Sequence, residues 1–142
     1  MASKVFADAN LLLDFTLQRD NYFLAKEVVQ HGLNGFIRLH TTPAVLHITS
    51  HWMAKKYGTA TTKTLLLVLL NDIHVIDCDH ATAITALSSN FSDTEDALQY
   101  YTALKFGMDY FISADKKLKK AALPQLPVYT ASELLKELNP NR

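Results

Sequence analysis

Three carboxylates lie within four consecutive positions in the stretch FSDTEDALQYY, and an apolar run of helical spacing follows them. These carboxylates belong to Asp93, Glu95 and Asp96. Asp8 follows the β-type run KVFA directly, and Asp115 lies two residues after the β-type run YFIS. Clustered carboxylates suit a hard divalent cation, because Mg²⁺ and Mn²⁺ prefer oxygen ligands. Such a cation can activate water and neutralise charge on a phosphodiester.

Each of these acids also has a purely structural explanation. Asp8 can cap the helix that follows it. Ser92 and Glu95 match the S-x-x-E capping box, so we expect Glu95 to stabilise the helix start rather than to bind a ligand. Asp93 and Asp96 are three residues apart on one helical face, and both suit a helix N-terminus through its dipole. Only the occurrence of several acids near the ends of different strands favours a metal-binding site over these structural roles.

Strands alternate with helices in the predicted order of elements. The predicted strands cover residues 4–7, 35–40, 73–76, 110–113 and 127–129. This alternation predicts a mainly parallel sheet with helices on both faces, and sites in such sheets form beyond the carboxyl ends of the strands. The run LLLVLL, residues 65–70, is so apolar that we expect its helix to be buried on most sides.

The composition bounds the class of protein. A length of 142 residues with 49% hydrophobic residues predicts one domain, 1–142, with short tails at 1–3 and 139–142. Because 14 basic residues balance 14 acidic ones, any nucleic-acid binding must come from local patches. The single cysteine, Cys78, excludes an internal disulfide framework. With no leader and no run long enough for a bilayer, we expect a cytoplasmic protein without a membrane role.

Three blocks give the chain a resemblance to a known family. They are VFADANLLLDF, DTEDALQYYTALKFGMDYFIS and ADKKLKK, and their order and spacing extend over nearly the whole chain. The chain resembles a PIN domain of the kind found in VapC-type bacterial toxins. The resemblance implies a three-layer α/β/α sandwich and a ribonuclease that depends on Mg²⁺ or Mn²⁺. It also implies a homodimer, RNA as substrate, and an antitoxin protein that inserts into a groove.

The resemblance also implies roles for single residues. Asp8, Asp96 and Asp115 correspond to the catalytic, metal-binding acids. The supporting positions are Asn10, two residues after the first acid, Ser113, the hydroxyl before the last acid, and Asp93, which adds a carboxylate.

One departure from the family pattern concerns the helix after the second strand. Many members have a glutamate there, whereas TTPAVLHITSHWMAKKYG contains no acid, and His47 falls near the expected place. A histidine can bind manganese, but His47 and His51 can equally be polar residues on a helix side. The loss of one ligand leaves a second function open: a catalytically weakened PIN fold that binds RNA or protein.

Two further alternatives remain open from the sequence. An aspartyl-nucleophile phosphatase also has an Asp after its first strand, but that chemistry requires a second acid where this chain has Asn10. The four lysines of the segment KKLKK can contact RNA phosphates or form a solvated helix face. Tyr100 and Tyr101 are predicted to belong partly to the core, with base stacking as the alternative.

Overall fold

The computed structural model of the chain describes residues 2–139, which form five strands and eight helices. The strands are β1 (Ser3–Ala7), β2 (Ile37–Thr41), β3 (Ile73–Val75), β4 (Tyr110–Ile112) and β5 (Val128–Tyr129). The helices are α1 (Ala9–Thr16), α2 (Tyr22–Leu33), α3 (Pro43–Tyr57), α4 (Thr59–Leu69), α5 (His80–Leu87), α6 (Thr94–Lys105), α7 (Lys116–Ala121) and α8 (Ala131–Leu138). Strand β1 begins inside the predicted N-terminal tail, and residues 140–142 of the predicted C-terminal tail lie outside the described residues.

All five strands are parallel, in the order β3-β2-β1-β4-β5. The predicted α/β class with a parallel central sheet is therefore confirmed. The register pairs Ala7 at the end of β1 with Ile112 at the end of β4. Asp8 and Ser113 directly follow these two strands, and they consequently lie side by side at the carboxyl edge of the sheet. Within residues 2–139, no helix has both the length and the apolar character of a membrane span.

The sheet is covered on both faces. Neighbouring side chains of β1 and β4, Phe6 and Phe111, stack with ring centroids 4.7 Å apart, and Tyr100 of α6 packs on Phe111 at 5.7 Å. Helices α2 and α8 contact each other and cover the opposite face, α2 against β2 and α8 against β4 and β5. Because successive strand residues point to opposite faces, the buried ends of the central strands, residues 5–7 of β1 and 111–112 of β4, are apolar, as buried parallel strands usually are.

The buried aromatic Tyr100 is structural rather than a stacking platform. Its side chain is completely buried, and its hydroxyl donates to the carbonyl of Leu126 at 2.6 Å and accepts from the amide of Leu123 at 2.7 Å. These two bonds fix the loop before β5 against α6. The prediction of a core role is thus confirmed for this residue.

The expectation that α4 is buried on most sides is wrong. Leu67 and Val68 are 67% and 59% exposed, and Thr62 is the one fully buried residue of the helix. The reason is geometric: consecutive apolar residues surround a helix, and α4 packs mainly against α3 rather than between the sheet and another layer.

This difference in burial predicts contrasting stability effects for two leucines. Leu134→Ala, in the core side of α8, is expected to lower the free energy of unfolding by about 2–5 kcal/mol, whereas Leu67→Ala should change it by no more than about 0.5 kcal/mol. Urea denaturation at equal protein concentration measures both. A large loss for Leu67→Ala would mean that another molecule covers α4 in solution.

Candidate metal centre

Asp8 lies at the exit of the central strand β1 and has two roles. It is the N-cap of α1, with Oδ1 accepting from the amide of Leu11 at 3.1 Å. Its carboxyl also accepts a hydrogen bond from the hydroxyl of Ser113. The Ser113 hydroxyl oxygen in turn accepts from the backbone amide of Asp115 at 3.1 Å. Ser113 therefore joins the first and the last of the predicted acids.

The pKa of Asp8 is raised to about 7. Burial of the carboxylate is the main cause, and repulsion from Asp96 and Asp14 adds to it. The hydrogen bonds from Leu11 and Ser113 act in the opposite direction, since they stabilise the charged form. A carboxylate at this position is thus held at an energetic cost unless a cation compensates it.

Asp96 and Asp115 form the second part of the site. The pKa of Asp96 is raised to about 6, first by burial and then by the negative charges of Asp93, Asp115 and Glu95. Its side chain also forms a hydrogen bond with Asp115, and two carboxyl groups can do so only when they share a proton. Asp115 caps α7 by accepting from the amides of Lys117 and Leu118 at 2.8 and 3.2 Å.

The start of α6 differs from the predicted capping box. The N-cap is Asp93, whose Oδ1 accepts from the amide of Asp96 at 2.9 Å, and not Ser92. The pattern S-x-x-E begins at Ser92, and the pattern D-x-x-D begins one residue later at Asp93. The helix starts after Asp93, so the second pattern forms the cap. Glu95 is exposed and is not the reciprocal partner of Ser92. The capping box of this fold is in α8, between Thr130 and Glu133.

Among the described residues, Asp8, Asp96 and Asp115 take part in no ion pair. The ion pairs formed within residues 2–139 are Arg19–Asp14, Lys105–Asp79 and Lys119–Glu133. The guanidinium of Arg19 also donates to the side-chain oxygen of Asn10 at 3.3 Å. Asn10 is exposed and bonded to Arg19, and its supporting role at the site stays a prediction.

The predicted site residues line two cavities. One, of about 250 Å³, is lined by Asp8, Asn10, Asp14 and Ser113 among others. The other, of about 310 Å³, is lined by Asp93, Asp96, Asp115, Phe91 and Lys117 among others. His47 is exposed on α3 and lines neither cavity, and His51 packs against Trp52.

The donor chemistry of the site fits Mg²⁺ or Mn²⁺. Its groups are uncompensated carboxylates, which are the oxygen donors that these ions prefer. Across the described residues 2–139, no group of three or more His, Cys, Asp or Glu side chains converges on one point that could hold an ion. Magnesium commonly takes one or two carboxylates and completes its shell with water and substrate phosphate. The Asp96–Asp115 pair satisfies that smaller requirement, with Asp8 close enough to act on Asp96 electrostatically.

Two buried polar residues beside the site were not predicted as part of it. Gln99, three residues after Asp96 in α6, accepts a hydrogen bond from the hydroxyl of Thr42. Gln99 is only 8% exposed. A sequence signal for Gln99 existed. The helical spacing of Ala97, Tyr100 and Ala103 marks the apolar face of α6, and Gln99 is a polar residue on that face.

Comparison with known proteins gives a family and a set of similar folds. A family model described as PIN domain matches residues 4–117. No curated protein matches the chain in sequence. Among solved structures, the chain is similar to VapC20 of Mycobacterium tuberculosis, described as a toxin that cleaves the sarcin–ricin loop, with 13% identity, a TM-score of 0.65, and coverage of 85% of this chain and 97% of that one.

Two other solved structures share the fold. PAE2754 of Pyrobaculum aerophilum has 16% identity and a TM-score of 0.66, with coverage of 99% of this chain and 100% of that one. A toxin–antitoxin complex from Klebsiella pneumoniae has 22% identity and a TM-score of 0.65, with coverage of 91% and 98%. These likenesses establish the fold, while the family model extends over most of the chain. The chain belongs to the PIN domain family.

Proposed function

We propose that this protein is a metal-dependent ribonuclease and the toxin of a toxin–antitoxin pair. The observation that carries the proposal is the Asp96–Asp115 pair with Asp8 nearby at the carboxyl edge of the sheet, where the pKa of Asp8 and Asp96 is raised and none of the three acids belongs to an ion pair of the described residues. Membership of the PIN domain family supports the reaction class, and the similarity to a toxin that cleaves RNA supports the biological role.

The chain's own residues have distinct parts in this mechanism. Asp96 and Asp115 would hold the ion, and Asp8 would face it from β1. When bound, Mg²⁺ or Mn²⁺ supplies activation of water and neutralisation of charge on the phosphodiester. The hydroxyl of Ser113 fixes the orientation of the Asp8 carboxylate, and the cap bond to Leu11 fixes it from the other side. No protein nucleophile is required.

Lys117 would contact the substrate. It lines the acidic cavity, whereas Lys119 of the same helix is engaged by Glu133. A cation at the rim of a carboxylate cavity suits a phosphate that approaches the bound metal, because the phosphodiester backbone is the negative part of RNA.

An antitoxin partner is part of the proposal. An apolar cavity of about 450 Å³ lies where α1, α2 and α4 meet. The apolar residues that line it include Phe15, Tyr22, Leu33, Leu65, Val68 and Ile73. Such a groove suits the apolar side chains of an inserted protein segment. The Klebsiella pneumoniae complex, described as toxin–antitoxin, shares this fold and supports an antitoxin as the occupant. We extend the proposal to a homodimer on the family resemblance.

The second candidate function is a weakened PIN fold that binds RNA or protein without cutting. The observation that favours it is the position of His47, which is exposed and lines neither acidic cavity, so nothing on α3 replaces the missing glutamate. In that case Asp8, Asp93 and Asp115 would serve only as helix caps.

The test is cleavage of a panel of structured and single-stranded RNAs, including a sarcin–ricin loop hairpin. We expect cleavage with Mn²⁺ and none after addition of EDTA. Calorimetry with Mn²⁺ alone should show saturable binding. Intact RNA throughout the panel, together with no saturable binding at millimolar Mn²⁺, would contradict the nuclease and favour the binding module.

A further inference from the structure

Two buried threonines at the end of β2 connect three elements of the site. The hydroxyl of Thr41 donates to the carbonyl of Ala7 at 3.1 Å, one residue before Asp8. The hydroxyl oxygen of Thr42 accepts from the amide of Val45 at 3.2 Å and so caps α3. The same Thr42 hydroxyl donates its proton to the side-chain oxygen of Gln99 in α6. Both threonines are buried.

The bond between Thr42 and Gln99 is separate from the helix cap that Thr42 provides. Capping uses only a lone pair of the Thr42 hydroxyl, which leaves its proton free for a second partner. Gln99 lies three residues after Asp96, so the two side chains project from one side of α6. A restraint on Gln99 is therefore transmitted through one helical turn to Asp96.

We infer that Thr42 and Gln99 are positioning residues that hold the first turn of α6, and with it Asp96, against the end of β1 that carries Asp8. The contact chain runs from Ala7 through Thr41 and Thr42 to Gln99. It occupies the junction of β2 and α3, the part of the fold where this chain has no acid. The link is buried and made of neutral groups, so it holds the two elements together without adding charge beside the two acids.

The role of this link in metal binding rests on the proposed function, whereas its role in holding α6 does not. Two experiments separate them. Hydrogen exchange of the metal-free protein reports the opening of the first turn of α6. Calorimetry with Mn²⁺ reports the affinity of the site, which outer-shell partners typically change 10–100-fold.

Three variants distinguish the link from the cap. Gln99→Leu removes the link and leaves the Thr42 cap intact. Thr42→Val removes both, and Thr42→Ser keeps both because serine retains the hydroxyl. A matched control is Thr102→Val, since Thr102 is also buried in α6 but its hydroxyl bonds within the helix, to the carbonyl of Leu98 at 2.7 Å.

We expect the amides of Asp96 and Ala97 to exchange about tenfold faster in Gln99→Leu and Thr42→Val, and at the wild-type rate in Thr42→Ser and Thr102→Val. Mn²⁺ affinity should fall at least about tenfold in the first two variants only. Unchanged exchange in Gln99→Leu overturns the inference, even if the wild type cuts RNA. A wild type that neither binds Mn²⁺ nor cuts RNA overturns the proposed function, while the exchange rates still decide whether the link holds α6.

Discussion

Replacing Asp96 with asparagine is expected to reduce Mn²⁺-dependent RNA cleavage by at least about a hundredfold, because even outer-shell partners of a metal cost 10–100-fold. The substitution preserves shape and removes the charge. Asp96 is not the cap of its helix, since Asp93 has that role, so α6 keeps its start. The loss should therefore fall on the reaction and on Mn²⁺ affinity rather than on folding. Initial cleavage rates over a range of Mn²⁺ concentrations measure it.

The neighbouring residue provides a matched control. Glu95 is an acid in the same first turn of α6, but it is exposed and lines neither acidic cavity. Glu95→Gln should retain the cleavage rate within a factor of a few, because water and salt ions screen the effect of an exposed charge on the site. Equal loss in the two variants would show that general negative charge on α6, and not one positioned carboxylate, supports the activity.

The position of Asp8 and Asp115 at one edge of the sheet could be predicted because a simple rule of topology applies to them. Asp8 and Asp115 follow β-type runs, and parallel strands deliver such residues to one edge of the sheet. The sequence also offered a capping role for Asp8 as a competing explanation. The structure shows the capping role, with the amide of Leu11 donating to Asp8, and a second hydrogen bond from Ser113 to the same carboxyl group, while the metal-binding role of Asp8 stays a prediction.

The features that sequence could not determine depend on packing between distant segments. Thr42 and Gln99 are 57 residues apart, and no local pattern joins them. The exposure of α4 depends on what lies beside it, since an apolar run of six residues has no periodicity that marks a buried face. The position of His47 along α3 predicts that it lies near the place of the missing glutamate. In the structure it lies on the exposed side of the helix.

Replacing Asp8 with asparagine is expected to stabilise the metal-free protein at pH 8 while it abolishes cleavage. The folded-state pKa of Asp8 is raised from 3.8 to about 7, so the folded protein binds this proton more tightly than the unfolded chain does. Stability associated with Asp8 is therefore present below about pH 4 and is lost as the pH rises to about 7. Above that pH the ionised Asp8 carboxylate destabilises the folded protein by on the order of 2–4 kcal/mol, as follows from the size of the pKa shift.

Asparagine removes this penalty without losing the cap. It ranks with aspartate as an N-cap, so the bond to the amide of Leu11 can persist. Urea denaturation in EDTA between pH 4 and pH 8 should show a smaller decline in the free energy of unfolding for Asp8→Asn than for the wild type. Mn²⁺ should then stabilise the wild type at pH 8 more than the variant, because a ligand adds stability in proportion to its affinity for the folded state and the variant has lost one carboxylate that faces the ion.

Asp79 provides the matched control for this experiment. It caps α5 as Asp8 caps α1, with Oδ1 accepting from the amide of Thr82 at 2.9 Å, but it is exposed and paired with Lys105. The ion pair holds the pKa of Asp79 below its usual range, so its charge favours the folded state. Asp79→Asn should therefore not stabilise the protein at pH 8. If Asp8→Asn is no more stable than the wild type in EDTA at that pH, the Asp8 carboxylate is already compensated in the metal-free protein, and the case for a cation at this edge of the sheet loses its electrostatic basis.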